Sequence, residues 1–214
     1  GGRYNPQTGK VEAETDHFTK FAVMLYEREF ADVPEGHWSR EYIGLLAARH
    51  ITTGVDESNF APAGTLTRAE FATFLVRALN IDMGDYKGLF DDVPAGRWFT
   101  PYVEAAQGAG LVNGTGAGSF EPDSKITREQ MAVMVMRAYE YMTGNTASGE
   151  AAKSTAGFGD MGSISGWAKN AVLGAQANGI INGVPGNMFA PKESATREQA
   201  AKVIIKLLEL AGEI

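Results

Sequence analysis

Residues 98–138 read WFTPYVEAAQGAGLVNGTGAGSFEPDSKITREQMAVMVMRA. Tyr102, Val103 and Ala106 fall on one helical face, behind Thr100-Pro101, an N-cap followed by Pro at the first helical position. That helix is expected to end near Gly110, a residue suited to a left-handed terminus. A loop of about fifteen residues follows. Thr127-Arg128-Glu129-Gln130 then forms a capping box, in which the Thr hydroxyl and the Gln side chain satisfy each other's backbone amides. Met131, Met134, Val135, Ala138 and Tyr139 continue at helical spacing, and Met136 widens the stripe. The stretch therefore reads helix, loop, helix, and a second helix so broadly apolar belongs inside a bundle.

The same pattern occurs three times. Trp38, Trp98 and Trp167 each precede Arg68, Arg128 and Arg197 by 30 residues, and each Arg follows a Thr. Gly54, Gly114 and Gly183 lie 16 residues after the Trp; Phe60-x-Pro62, Phe120-x-Pro122 and Phe189-x-Pro191 begin 22 after it. Phe30-x-Asp32, Phe90-x-Asp92 and Phe158-x-Asp160 come before it. Fixed spacing at five landmarks defines tandem copies. His50 stands where Gly110 and Gly179 end the other first helices, and His tolerates positive φ. Arg77, Arg137 and Lys206 fall near the ends of the second helices, where cations suit the dipole. The third copy departs slightly, with one extra residue between Asp160 and Trp167 and no Asp-Val-Pro.

These landmarks divide the chain. Residues 15–80 hold an N-terminal helix, TDHFTKFAVMLYER, and the first copy; 81–142 hold the second; 158–214 hold the third. The N-terminal helix has Phe18 where Arg128 stands, so it is packing material without a site. Residues 143–157, small and polar, read as a flexible linker. The copies are expected to form one cooperative unit, since no single copy can bury its stripe. The Gly1-Gly2 start suggests a processed or trimmed piece.

The 214 residues are 44% apolar, enough for a packed core. A net charge of −7 argues against nucleic-acid binding, and no apolar run approaches the length of a membrane helix. The absence of cysteine excludes disulfides and thiol chemistry. His17, His37 and His50 do not track the repeat, so a zinc site is not expected. A calcium loop starting at Asp56 would need Gly at Ala61 and Glu at Thr67. No acid pair recurs as a glycosidase dyad would, and no phosphate-binding loop or nucleophile turn is present. No catalytic residue, metal or cofactor is expected.

The Phe-x-Asp, Trp, Asn-Gly, Phe-x-Pro and Thr-Arg landmarks together resemble the S-layer homology repeat, and the three copies resemble a complete cell-wall anchoring module of Gram-positive surface-layer proteins. The resemblance implies an all-α fold with long loops, in which three pseudo-threefold repeats surround a central bundle of one helix per copy. It implies secretion to the cell surface as part of a larger surface-layer protein. It also implies non-covalent binding of secondary cell-wall polysaccharide, ending in pyruvylated N-acetylmannosamine, in grooves between copies. The alternative is a structural or protein-interaction module without glycan binding.

Each candidate ligand residue has a plainer reading. Arg68, Arg128 and Arg197 sit at helix starts, where a cation opposes the dipole; beside free helix N–H groups they suit an anion, or they pair with an acid such as Asp32, Asp92 or Asp160. Trp38, Trp98 and Trp167 either stack on a sugar face or anchor the first helix in the core. The three Asp accept from sugar hydroxyls, cap a turn, or pair with the Arg. Gly54, Gly114 and Gly183 allow close ligand approach or provide a positive-φ turn.

Overall fold

A computed structural model describes residues 3–5, 10–12, 28–145 and 157–214. All but Arg28 of the N-terminal helix expected at 15–28, and most of the 143–157 linker, lie outside the described residues; Arg28 itself is not helical. Each copy supplies a short first helix and a longer second one. These are α1 (Arg40–Ala48) and α2 (Arg68–Ala78), α3 (Thr100–Gly108) and α4 (Arg128–Thr143), and α5 (Lys169–Ala177) and α6 (Arg197–Leu210). Thr143, assigned to the linker from sequence, is the last residue of α4, which stops at left-handed Gly144. The all-helical expectation needs one amendment. Strands β1 (Arg3–Asn5) and β2 (Lys10–Glu12) pair antiparallel, with Tyr4 opposite Val11. They lie ahead of the repeats, in a stretch that none of the landmarks reaches.

The local signals act as the residues dictate. Thr67, Thr127 and Thr196 each cap their helix and complete a capping box with Glu70, Gln130 and Gln199. His50, Gly110 and Gly179 all have positive φ and turn the chain out of the first helices. The extra residue of the third copy is taken up by a 3-10 turn, Met161–Ser163, after which Ile164 is buried like Val33 and Val93.

Helices α2, α4 and α6 each touch the other two. Each first helix packs not on the second helix of its own copy but on that of another: α3 on α2, α5 on α4, and α1 on α6. The loops interlock in the same order. Leu66 N–H donates to Ala195 O, Ala195 N–H to Ile126 O and Ile126 N–H to Leu66 O. A single buried cluster runs through all three copies, with Phe60, Phe120 and Phe189 fully buried in it.

Candidate functional site

Phe60, Phe120 and Phe189 pin the long loops, each against a second ring: Phe30, Phe90 and Phe158 at 5.6, 5.3 and 5.3 Å. The Asp residues hold those loops from behind. Asp32 accepts from the Phe60 and Ala61 amides at 2.9 and 2.7 Å, Asp92 from Phe120 and Glu121 at 2.8 and 2.7 Å, and Asp160 from Phe189 and Ala190 at 2.7 and 2.8 Å. Both oxygens of every Asp are thus engaged, and Ala61, Glu121 and Ala190 are held at positive φ. Partial burial opposes the Asp160 charge, but the two amides and nearby Arg128 outweigh it and hold its pKa below the ordinary carboxylate value. The Asp residues organise the loops; none forms an ion pair with its Arg.

The glycines are demanded by crowding more than by φ. Only Gly54 has positive φ (85°). A Cβ on Gly114 would meet Ser119 O at 2.6 Å and the Phe90 ring at 3.1 Å; on Gly183 it would meet Met188 O at 2.7 Å and Phe158 at 2.8 Å. The expectation of a positive-φ turn therefore holds for the first copy alone.

The three arginines are buried, 4–5% exposed, and each reaches into another copy. Arg68 Nε donates to Phe120 O at 2.8 Å and Nη2 to Asn113 O at 3.2 Å. Arg128 repeats this with Phe189 O at 2.7 Å and Asn182 O at 3.2 Å, and Arg197 Nε meets Phe60 O at 2.8 Å. Each guanidinium also lies over the same Phe ring, at 4.6, 5.1 and 4.9 Å. Burial pushes each arginine's pKa downward; nearby Asp and Glu carboxylates oppose it.

The helix starts are not free anion sites. The amides of Arg68 and Ala69 donate to Ser124 O and Pro122 O, those of Arg128 and Glu129 to Glu193 O and Pro191 O, and those of Arg197 and Glu198 to Gly64 O and Pro62 O. The Thr caps take the next amide in each helix. The N–H groups that would hold an anion are spent on locking copies together.

What remains differs between copies. Arg197 Nη1 pairs with Glu70 at 3.1 Å, and Arg128 Nη1 donates to Gln199 Oε1 at 3.1 Å. Arg68 Nη1 has no such partner among the described residues. Arg68 lines a cavity of about 400 Å³ that also takes in Gly114, Gln130, Met134, Arg137 and Trp167. This cavity brings a second guanidinium, Arg137, to the first, and no acidic residue lines it. The expected pairing of a cation with the helix C-terminus holds for Arg77 alone: α4 runs on to Thr143 and α6 to Leu210, which leaves Arg137 and Lys206 outside the last turn. The signal for Arg137 is its recurrence nine residues after Arg128, matched by Arg77 and Lys206.

The indoles are not core anchors. Trp38, Trp98 and Trp167 are 52%, 56% and 60% exposed. Trp167 forms part of the Arg68 cavity wall, and Lys202 stands 6.0 Å above the Trp38 ring. Asp56, the start of the supposed calcium loop, binds the amides of Ser58 and Asn59 and the Asn59 side chain. Among the described residues no group of His, Asp and Glu is placed to hold a metal ion, and no helix is long and apolar enough to cross a membrane.

Fold and site together define a tandem-repeat module of helix–loop–helix copies, stapled through Thr-Arg helix starts and carrying a cationic, aromatic-edged cleft at a seam. The chain belongs to the S-layer homology domain family, whose model matches residues 29–72, 89–132 and 157–201. It is 40% identical, over its whole length, to an amylopullulanase of Thermoanaerobacterium thermosulfurigenes, covering 11% of that protein. It is 43% identical over 86% of its length to the exoglucanase XynX of Acetivibrio thermocellus, covering 17% of it. It is 36% identical over 84% of its length to an S-layer protein of Bacillus thuringiensis subsp. finitimus, covering 21% of it. The chain thus spans roughly a tenth to a fifth of these relatives, and one domain family is shared by proteins named as enzymes and as S-layer proteins.

Proposed function

We propose that this chain anchors a larger secreted protein to the wall of a Gram-positive cell. It does so without catalysis, by binding secondary cell-wall polysaccharide at seams of a pseudo-threefold assembly around α2, α4 and α6. The ligand is the acidic terminal sugar, pyruvylated N-acetylmannosamine. The observation that carries this reading is the Arg68 cavity, where two guanidinium groups stand beside an exposed indole in a protein of net charge −7. Guanidinium groups suit a ketal carboxylate, bound through paired N–H donors. The Trp167 indole offers apolar surface to a sugar face, and Val133 and Met134 offer a floor for methyl groups. Gln130 supplies a side-chain amide for polar substituents.

Calorimetric titration with purified pyruvylated wall saccharide and with its non-pyruvylated analogue tests the reading. Selective binding of the pyruvylated form is expected. Equal binding of both removes the carboxylate from the argument. Binding of neither favours a structural or protein-interaction module, and turnover would make the chain an enzyme.

A further inference from the structure

A second cavity, of about 200 Å³, adjoins the first and shares Val133, Arg137 and Trp167 with it. Its remaining wall comes from Met136, Glu140, Asn170 and Ala171. The two cavities differ in charge. The Arg68 cavity is lined by cations and no acid, while the outer one carries Glu140 against Arg137. An anion is attracted to the first and finds a charge-balanced lining in the second. Glu140 and Asn170 instead present an acceptor and an amide, groups that suit sugar hydroxyls. Trp167 lines both, and its exposed ring is available to a chain running from one to the other.

We infer that the outer cavity is a second saccharide subsite, which takes one uncharged sugar residue next to the acidic sugar held at Arg68. This rests on the reading of the Arg68 cavity given above. It fixes a direction: the acidic end lies inside, and the polymer leaves over Trp167 towards α5.

The protein has three Trp, so Trp38→Phe with Trp98→Phe leaves Trp167 as the sole fluorescent indole. Two probes are titrated against it: the methyl glycoside of pyruvylated N-acetylmannosamine, and the same acidic sugar extended at its reducing end by one neutral N-acetylhexosamine. The extended probe is expected to bind about tenfold more tightly, the worth of one or two further hydrogen bonds. Asn170→Ala and, separately, Ala171→Phe are expected to erase that gain and leave the single-sugar affinity unchanged. Equal affinity for the two probes overturns the subsite but not the terminal-sugar reading. A gain that survives both substitutions overturns its placement at Asn170 and Ala171. Failure of the single sugar to bind overturns the terminal-sugar reading, and the subsite with it.

Discussion

Arg68→Ala separates two roles that the structure gives to one side chain. On the sequence alone, removing a cation from a helix start should cost little stability, because it relieves a dipole clash of roughly 0.3–1 kcal/mol. The structure reverses that expectation. Arg68 holds Phe120 O and Asn113 O in the second copy and covers the Phe120 ring. Each charge-assisted bond is worth about 1.5–3 kcal/mol, and truncation leaves two carbonyls without their donor. The ring contact adds about 0.5–1 kcal/mol. With the dipole relief subtracted, a loss of roughly 2.5–6.5 kcal/mol follows. At about 2–4 °C per kcal/mol for a protein of this size, Tm should fall by about 5–25 °C. Arg137→Ala is the counterpart, since Arg137 lines the same cavity and is only half-buried. It should bind the pyruvylated sugar about ten- to a hundredfold more weakly, with Tm nearly unchanged. Scanning calorimetry gives the first quantity and titration of the folded variant the second. A Tm for Arg68→Ala close to the parent's would refute the clamp. Unchanged binding by Arg137→Ala would remove the second guanidinium from the site.

Four further outcomes are expected. The Arg197 seam should bind the acidic sugar most weakly, because Glu70 occupies Arg197 Nη1 and repels a carboxylate; Glu70→Gln, the amide already present at Gln130 and Gln199, should raise the number of sugars bound per chain, and an unchanged stoichiometry would count against this. An isolated middle copy, residues 85–142, should be largely unfolded by circular dichroism, because α3 packs on α2 and α4 on α2, α5 and α6; a sharp cooperative melt with full helix content would contradict it. Asp160 is held below the ordinary carboxylate value, so its stabilising contribution is complete above that value and lost as pH falls through the lowered one; the Phe189 and Ala190 amide resonances should titrate with a midpoint below about 3.9, the unperturbed value. Wall binding should survive exhaustive EDTA treatment, and a loss restored by calcium would show that the long loops hold metal.

The elements were legible because their signals are local. A capping box spans four residues and a left-handed terminus one, so Thr127–Gln130 and Gly110 declare themselves. Partnership was not legible. The spacing is the same whether α3 packs on α4 or on α2, and only the assembled chain brings Arg68 to Phe120, 52 residues away. The same holds for the free helix amides: sequence shows four unsatisfied N–H groups at every start, but not that Pro122 and Ser124 of another copy meet them. The indoles misled because size and apolarity favour burial on average, whereas Trp167 lies at the surface along a cleft. Arg137 was not legible as a cleft residue because the sequence suggests a helix ending close after it, where a cation suits the dipole, whereas α4 continues to Thr143.

The Arg68 cavity draws on all three copies: Arg68 from the first, Gly114, Gln130 and Arg137 from the second, and Trp167 from the third. This follows from the packing order, since α5 lies on α4 and so carries its Trp to the seam between the other two copies. No single copy therefore lines the whole cavity, and no pair of copies does. Deleting the third copy would take the indole from a cavity whose arginines both remain in the chain. It would also remove α6 from its contacts with α2 and α4, and with it the Phe189 O and Asn182 O partners of Arg128. The cavity is thus formed by the same packing that buries the apolar stripes of all three copies. The packing of three copies is what places two cations and an exposed indole around one cleft, with the burial of their apolar stripes offsetting the cost of holding Arg68 away from water.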